Sequence, residues 1–150
     1  MKAIYSSYPY KAVVIIARFN YFISKAILKS VMNIIKLIAT IENTIDILWV
    51  SGSNEMPIIV NSLLYNKRYN IIIPIGSVIR GDTFHFKIVV SNCNLNYNNI
   101  TINNKLTITS GILITDNIEQ AIERTEPKAG NKGTDSIVTI LELANIMNSI

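Results

Sequence analysis

Six consecutive apolar residues, Ala12-Val-Val-Ile-Ile-Ala17, form a β-branched run with no polar face, the pattern of a strand buried on both sides. Directly after Arg18-Phe19-Asn20 the period changes, and Ile23, Ile27, Val31, Ile34/Ile35 and Ile38 recur at helical spacing. A strand apolar on both sides needs a cover on each, and a helix entered within three residues supplies the first. This junction restricts the chain to folds in which parallel strands alternate with helices. Asn20 stands where a helix N-cap belongs.

The alternation continues. Ile47 to Val50 reads as a second short strand, and Met56 to Leu64 as a helix with Pro57 in its first turn. Asn70 to Gly76 is a third strand, in which Pro74 removes a ladder hydrogen bond and argues against a central place for that end. From Thr83 to about Ile100, Phe86, Val89/Val90, Cys93, Tyr97 and Ile100 keep a helical step on an Asn-rich stretch, a weak helix former that needs packing. A polar turn, Asn98 to Lys105, leads to a fourth strand, Leu106 to Ile114. Asn117 to Arg124 is a short helix and Glu126 to Gly133 a loop. Thr134 to Asn148 forms a last amphipathic helix, with Ile137, Ile140/Leu141, Ala144 and Met147 on one face. The expectation is a single domain over residues 1–150 with an N-terminal arm at 1–11. It is a three-layer α/β/α sandwich whose four-stranded parallel sheet carries helices on both faces.

Composition narrows the function. The 150 residues include 30 Ile and 18 Asn, both encoded by AT-rich codons, which points to nucleotide bias on an ordinary fold. No apolar run approaches the ~18–20 residues of a membrane span, so no membrane association is expected. Arg18 ends the first apolar run with no cleavage site after it, which argues against a signal peptide. One Cys and one His make neither an internal disulfide nor a zinc set, so a cytoplasmic protein without metal or other cofactor is expected. The net charge of +4 is scattered, with no basic stripe to track a nucleic acid, but it suits a small anionic substrate. A mean hydropathy of +0.33 leaves apolar surface for subunit contacts.

In doubly wound sheets ligands bind beyond the carboxyl ends of the strands. Three loops are thereby nominated: Arg18 to Phe22, Ser51 to Pro57 and Gly76 to Phe86. Histidine is the one residue type whose unperturbed side chain titrates near neutrality, and His85 is a proton-transfer candidate or a structural histidine. Gly81-Asp82-Thr83 could cradle a phosphate or form a plain turn. Phe19 could stack on a heterocycle or staple the helix. Arg124, Lys128 and Lys132 could bind phosphate or line a solvated loop. Glu55 could accept from hydroxyls or favour a helix dipole. No Gly-rich dinucleotide fingerprint, P-loop or nucleophile elbow occurs, and Cys93 reads as packing.

Five motifs are recognisable in combination. Ala17-Arg-Phe-Asn20 with Phe22-Ile23, Gly52-Ser-Asn-Glu-Met-Pro57, Gly76-Ser-Val-Ile-Arg-Gly-Asp-Thr-Phe-His-Phe86, Asp116-Asn-Ile-Glu-Gln-Ala-Ile-Glu-Arg124 and Lys128-Ala-Gly-Asn-Lys-Gly133 closely resemble the lumazine synthase family of riboflavin biosynthesis. The resemblance runs in order from about Val13 to Met147. It implies a flavodoxin-like fold with strand order 2-1-3-4. It also implies a cofactor-free transferase that condenses 5-amino-6-(D-ribitylamino)uracil with 3,4-dihydroxy-2-butanone 4-phosphate.

By resemblance Phe19 stacks on the pyrimidine, the backbone at Ser77, Val78 and Ile79 reads its polar edge, and Asn20, Ser53 and Glu55 hold the ring and ribityl chain. His85 corresponds to the proton-transfer residue. Gly81, Asp82, Thr83, Arg124 and Lys132 correspond to the phosphate site. The resemblance further implies a homo-oligomer, with sites shared between neighbours of a pentamer, and brings riboflavin synthase into view as a partner. The chain has no insertion between Arg124 and Gly133, like members that build sixty-subunit shells. Two positions depart from the family: Asn54 replaces an aromatic and Ser110 a Phe that closes over the substrate. Each loss is expected to weaken packing on the substrate by about 1 kcal/mol or more. Two other readings compete, an archaeal-type riboflavin synthase and a silent shell or flavin-binding scaffold.

Overall fold

The computed structural model describes residues 9–38, 44–81, 86–92, 106–126 and 130–150. Strand β1 (Lys11–Ala17) enters helix α1 (Tyr21–Ile38), then β2 (Thr44–Val50), a 3-10 turn (Ser53–Glu55), α2 (Met56–Asn66) and β3 (Ile71–Ile79). A helical segment α3 (residues 86–92) follows, then β4 (Thr107–Ile108), β5 (Gly111–Thr115), α4 (Ile118–Glu123) and α5 (Lys132–Ser149). The sheet is parallel throughout, in the order β2-β1-β3-β4, with β5 also paired to β3. The expected α/β/α sandwich, flavodoxin-like in its order, is what forms.

Residues 12–17 are all buried, as an apolar run between two helical layers should be. Val14 and Ile16 meet α1 and α5 on one face of the sheet, while Val13 and Ile15 meet Met56 and Val60 of α2 and Val89 of α3 on the other. In α1, Ile23, Ile27, Val31 and Ile35 are the buried stripe. Of the apolar face expected on the last helix, Ile137, Ile140, Leu141 and Ala144 are buried but Met147 is about half exposed.

Several boundaries differ from expectation. Lys11 already pairs with Thr44 and so belongs to β1, and β2 begins three residues earlier than the Ile47 start. Pro74 lies in the middle of the sheet, since β3 runs between β1 and the last strands and continues to Ile79. The sheet accommodates it by breaking the neighbour. The register 71↔107, 72↔108, 75↔111 is unbroken, and Thr109 N donates to Ile72 O at 3.4 Å. Two residues on, the donor to the Thr109 carbonyl would be the N–H that proline lacks. One expected strand, Leu106 to Ile114, is therefore two, and among the described residues the sheet counts five strands. Gly111 fits beside the break because a Cβ there would lie 2.9 Å from Pro74 O.

The polar turn expected at Asn98 to Lys105 and Cys93 lie outside the described residues, as does much of the helix expected from Thr83 to Ile100. Among the described residues no helix is long and apolar enough to cross a membrane.

At the amino edge of the sheet, Tyr69 Oη donates to Asp46 on the edge strand β2, and Arg68 Nη2 lies 3.2 Å from the same carboxylate. The hydrogen bond to Asp46 chiefly, with burial second, raises the Tyr69 pKa above its ordinary 10.0. A phenol held in its protonated form contributes stability below the ordinary tyrosine range and loses it as pH rises through the raised value. Tyr69→Phe is expected to cost about 1 kcal/mol at neutral pH. It is also expected to flatten the alkaline decline in stability, both read by urea unfolding either side of pH ~10.

Candidate active site

The carboxyl ends of β1, β2 and β3 converge on a crevice of about 430 Å³. Its walls are built from all three nominated loops: Phe19 after β1, residues 51–55 after β2, and Ser77, Val78, Ile79 and Gly81 at the end of β3. Phe86 and Val89 of α3 form the remaining wall.

Phe19 is held by its backbone rather than by its ring. The β1–β2 ladder continues past the strand ends, with Arg18 N donating to Val50 O at 2.8 Å and Phe19 N to Ser51 O at 2.9 Å. The ring is 72% exposed, so the main chain is fixed while an aromatic face stays open at the crevice mouth. That arrangement suits stacking on a flat ligand better than a hydrophobic staple, which would bury the ring.

Asn20 was expected to cap α1 with its side chain, and it does not. Its φ of +54° places it in the left-handed region that Asn tolerates better than most residues. Its carbonyl accepts from Ile23 N and Ser24 N. The side-chain amide is thereby released to donate to Ser77 O at 2.9 Å, tying the first loop to the crevice floor.

Ser53 is buried beneath the 3-10 turn, against Gly76. A Cβ at Gly76 would lie 2.5 Å from Ser53 Oγ, so only glycine lets the turn sit this close to β3. Gly52 lies under Glu55, whose Oε2 would be 2.9 Å from a Cβ at residue 52, a contact the flexible carboxylate could relieve by moving. The carboxylate therefore folds back over the turn. Asn54 is exposed on the rim, where its Oδ1 accepts from Asn92.

Arg124 does not reach this crevice within its own chain. It closes α4 and lines a second hollow, of about 600 Å³, with Asp116, Gln120 and Glu123; Phe86 is common to both hollows. Lys132 was expected in a loop but opens α5, because Asn131 Oδ1 accepts from Gly133 N at 2.9 Å and Thr134 N at 3.2 Å and caps the helix there. Asn131 Nδ2 also donates to Thr125 O, and Lys132 N donates to Arg124 O at 3.2 Å. The two cations are thus neighbours through the backbone. Among the described residues neither is in an ion pair, whereas Arg80 is 3.7 Å from Asp116.

Ser110 also lies away from the crevice, at the break between β4 and β5. Its Oγ accepts from Ile112 N at 3.3 Å and its carbonyl accepts from Ser136 Oγ at 3.4 Å. Of the remaining sequence candidates, Asp82, Thr83, His85 and Lys128 lie outside the described residues. The sequence reading missed Asn131, Asn92, Val89 and the close-approach role of Gly76. Asn131 alone had a local signal, a capping residue type just ahead of a periodic apolar stretch.

Fold and crevice together define a flavodoxin-like α/β protein with an open crevice at the carboxyl edge of its sheet, where ligands bind in folds of this class. Residues 9–148 match the family model described as 6,7-dimethyl-8-ribityllumazine synthase. The chain is 40% identical over 141 residues to the 6,7-dimethyl-8-ribityllumazine synthase of Blochmanniella pennsylvanica (strain BPEN), covering 93% of this chain and 89% of that protein. It is 37% identical to the protein of that name from Yersinia pestis (strain Pestoides F) and 36% identical to that from Edwardsiella ictaluri (strain 93-146). In both cases 93% of this chain and 90% of the relative are covered. The chain belongs to the 6,7-dimethyl-8-ribityllumazine synthase family. Neither the riboflavin synthase reading nor the silent scaffold is favoured by these relatives.

Proposed function

We propose that this chain condenses 5-amino-6-(D-ribitylamino)uracil with 3,4-dihydroxy-2-butanone 4-phosphate to give 6,7-dimethyl-8-ribityllumazine, with release of inorganic phosphate and water. It is a transferase of riboflavin biosynthesis. The observation that carries the reading is Phe19, an aromatic face left open at the crevice by a main chain hydrogen-bonded to β2.

The pyrimidine stacks on Phe19 and sets its polar edge against the backbone of residues 77–79, while Asn20, Ser53, Asn54 and Glu55 hold the ring and its ribityl arm. The 5-amino group adds to the ketone and an imine forms with loss of water. Phosphate is then eliminated to leave an enol that tautomerises to a ketone, and the second amine closes the ring on that carbonyl with loss of a second water. These steps require proton transfer, assigned to His85, and an anion clamp, assigned to Gly81, Asp82, Thr83, Arg124 and Lys132.

Arg124 and Ser110 face away from the crevice of their own chain, and this supports a site completed by a second copy. Arg124, Lys132 and Ser110 then serve the neighbour in a homopentamer. Twelve pentamers closing as a shell, and riboflavin synthase as a partner, belong to the same reading.

Purified protein mixed with both substrates is expected to develop lumazine absorbance and to release phosphate in step with it. Neither signal at high protein concentration would overturn the assignment.

A further inference from the structure

Ser136, one turn into α5, is 3% exposed, and its hydroxyl sits where the helix meets the break between β4 and β5. Oγ donates to the Lys132 carbonyl at 2.6 Å, lies 3.4 Å from the Ser110 carbonyl, and would stand 3.3 Å from a Cβ at Gly111. Within a helix the carbonyl of one residue already accepts from the N–H four residues on, so the bond to Lys132 is additional to the helical ladder. One proton facing two carbonyls is shared between them or passes from one to the other as the hydroxyl rotates. Either way it ties the first turn of α5 to the sheet, where Pro74 interrupts the ladder on β3. Lys132 has its N–H on Arg124 O at 3.2 Å and its carbonyl on Ser136, so its main chain is held from both sides. Yet among the described residues its ammonium is in no ion pair. A pinned main chain that carries an unpaired cation is preorganised for an anion the chain itself does not supply.

We infer that Ser136 is a positioning residue for the phosphorylated substrate: its buried hydroxyl braces Lys132 against the sheet through the Ser110 carbonyl, so that the ammonium is presented to the phosphate in one place. The inference rests on the function proposed above and adds to it a residue that touches no substrate. Without the hydroxyl, the start of α5 is no longer tied to the strand break. The Lys132 ammonium then samples more positions, and ordering it on a phosphate costs more. The ribitylaminouracil, held by the loops after β1, β2 and β3, does not depend on this brace.

Steady-state rates of the full chain, with each substrate varied in turn, test this. Ser136→Ala is expected to raise the KM for 3,4-dihydroxy-2-butanone 4-phosphate about three- to five-fold, and the inhibition constant of inorganic phosphate by the same factor, with the KM for the ribitylaminouracil unchanged. Ser136→Cys, whose thiol is a weaker donor in the same place, is expected to fall between Ser136→Ala and the wild type, and it carries the comparison if the alanine variant does not fold. On a Lys132→Ala background, Ser136→Ala should raise neither value further, because no ammonium is left to position. A merely structural hydroxyl would lower the melting temperature without the split between substrates, and its effect would persist in that background. Rates equal to the wild type, equal rises in both KM values, or an undiminished effect without Lys132 would each overturn the inference and leave the proposed function standing. A wild-type chain that forms no lumazine overturns the proposed function, and the inference with it.

Discussion

Arg124→Ala is expected to raise the KM for 3,4-dihydroxy-2-butanone 4-phosphate about 100-fold, with the KM for the ribitylaminouracil unchanged and kcat reduced only slightly. A guanidinium and a phosphate make two charge-assisted hydrogen bonds, and losing them costs about 2–3 kcal/mol, most of it already felt in the ground state. The backbone of position 124 is engaged with Gln120 and Lys132 and needs no side chain, so the variant should fold and assemble as before. Initial rates at low ketone concentration give the answer directly. Equal rates for variant and wild type would remove Arg124 from the phosphate site.

Gly133→Ala is expected to be the most damaging single-methyl change at the helix interface. A Cβ at residue 133 would stand 2.5 Å from the carbonyl oxygen of Ile27 and 3.1 Å from the Ile27 Cγ2, where the first turn of α5 crosses α1. The first of these contacts is backbone, so relief requires the helices to part. A cost of about 3 kcal/mol follows for overpacking of this kind, or roughly 10 °C in Tm for a domain of this size. Thermal unfolding followed by circular dichroism measures it, and a shift of less than about 2 °C would show that the crossing is softer than its geometry implies.

How much was legible in the sequence varied with the range of the interaction responsible. The order of elements and both buried faces were readable because hydrophobic period is local: six β-branched residues from Ala12 and the step from Ile23 to Ile35 decide them. Phe19, Ser53 and Glu55 were readable as crevice residues because strand ends announce where ligands sit. Asn20 was misread because its amide has a better partner in Ser77, fifty-seven positions away, than in its own helix. Lys132 was misread because the strength of the Asn131 cap was overlooked and Gly133 was taken as a loop glycine. Its true reason is the close approach to Ile27. Pro74 counted against a central place for its end of the strand because the usual rule holds the prolyl strand responsible for the missing bond, whereas here the interruption is carried by its partner strand. That Arg124 and Ser110 lie off the crevice of their own chain follows from no local pattern; the sequence suggested a shared site only through the family resemblance.

The cap at Asn131 bears on the anion site proposed at Arg124 and Lys132. One neutral amide binds the end of the α4 segment through Thr125 and the start of α5 through Gly133 and Thr134, so the Arg124 and Lys132 main chains share a single mechanical anchor. If both cations bind the phosphate, a shared anchor would couple their contributions. Loosening the amide would blur both positions together, and the affinity for a dianion would fall by more than the sum of two independent losses although no charge had been touched.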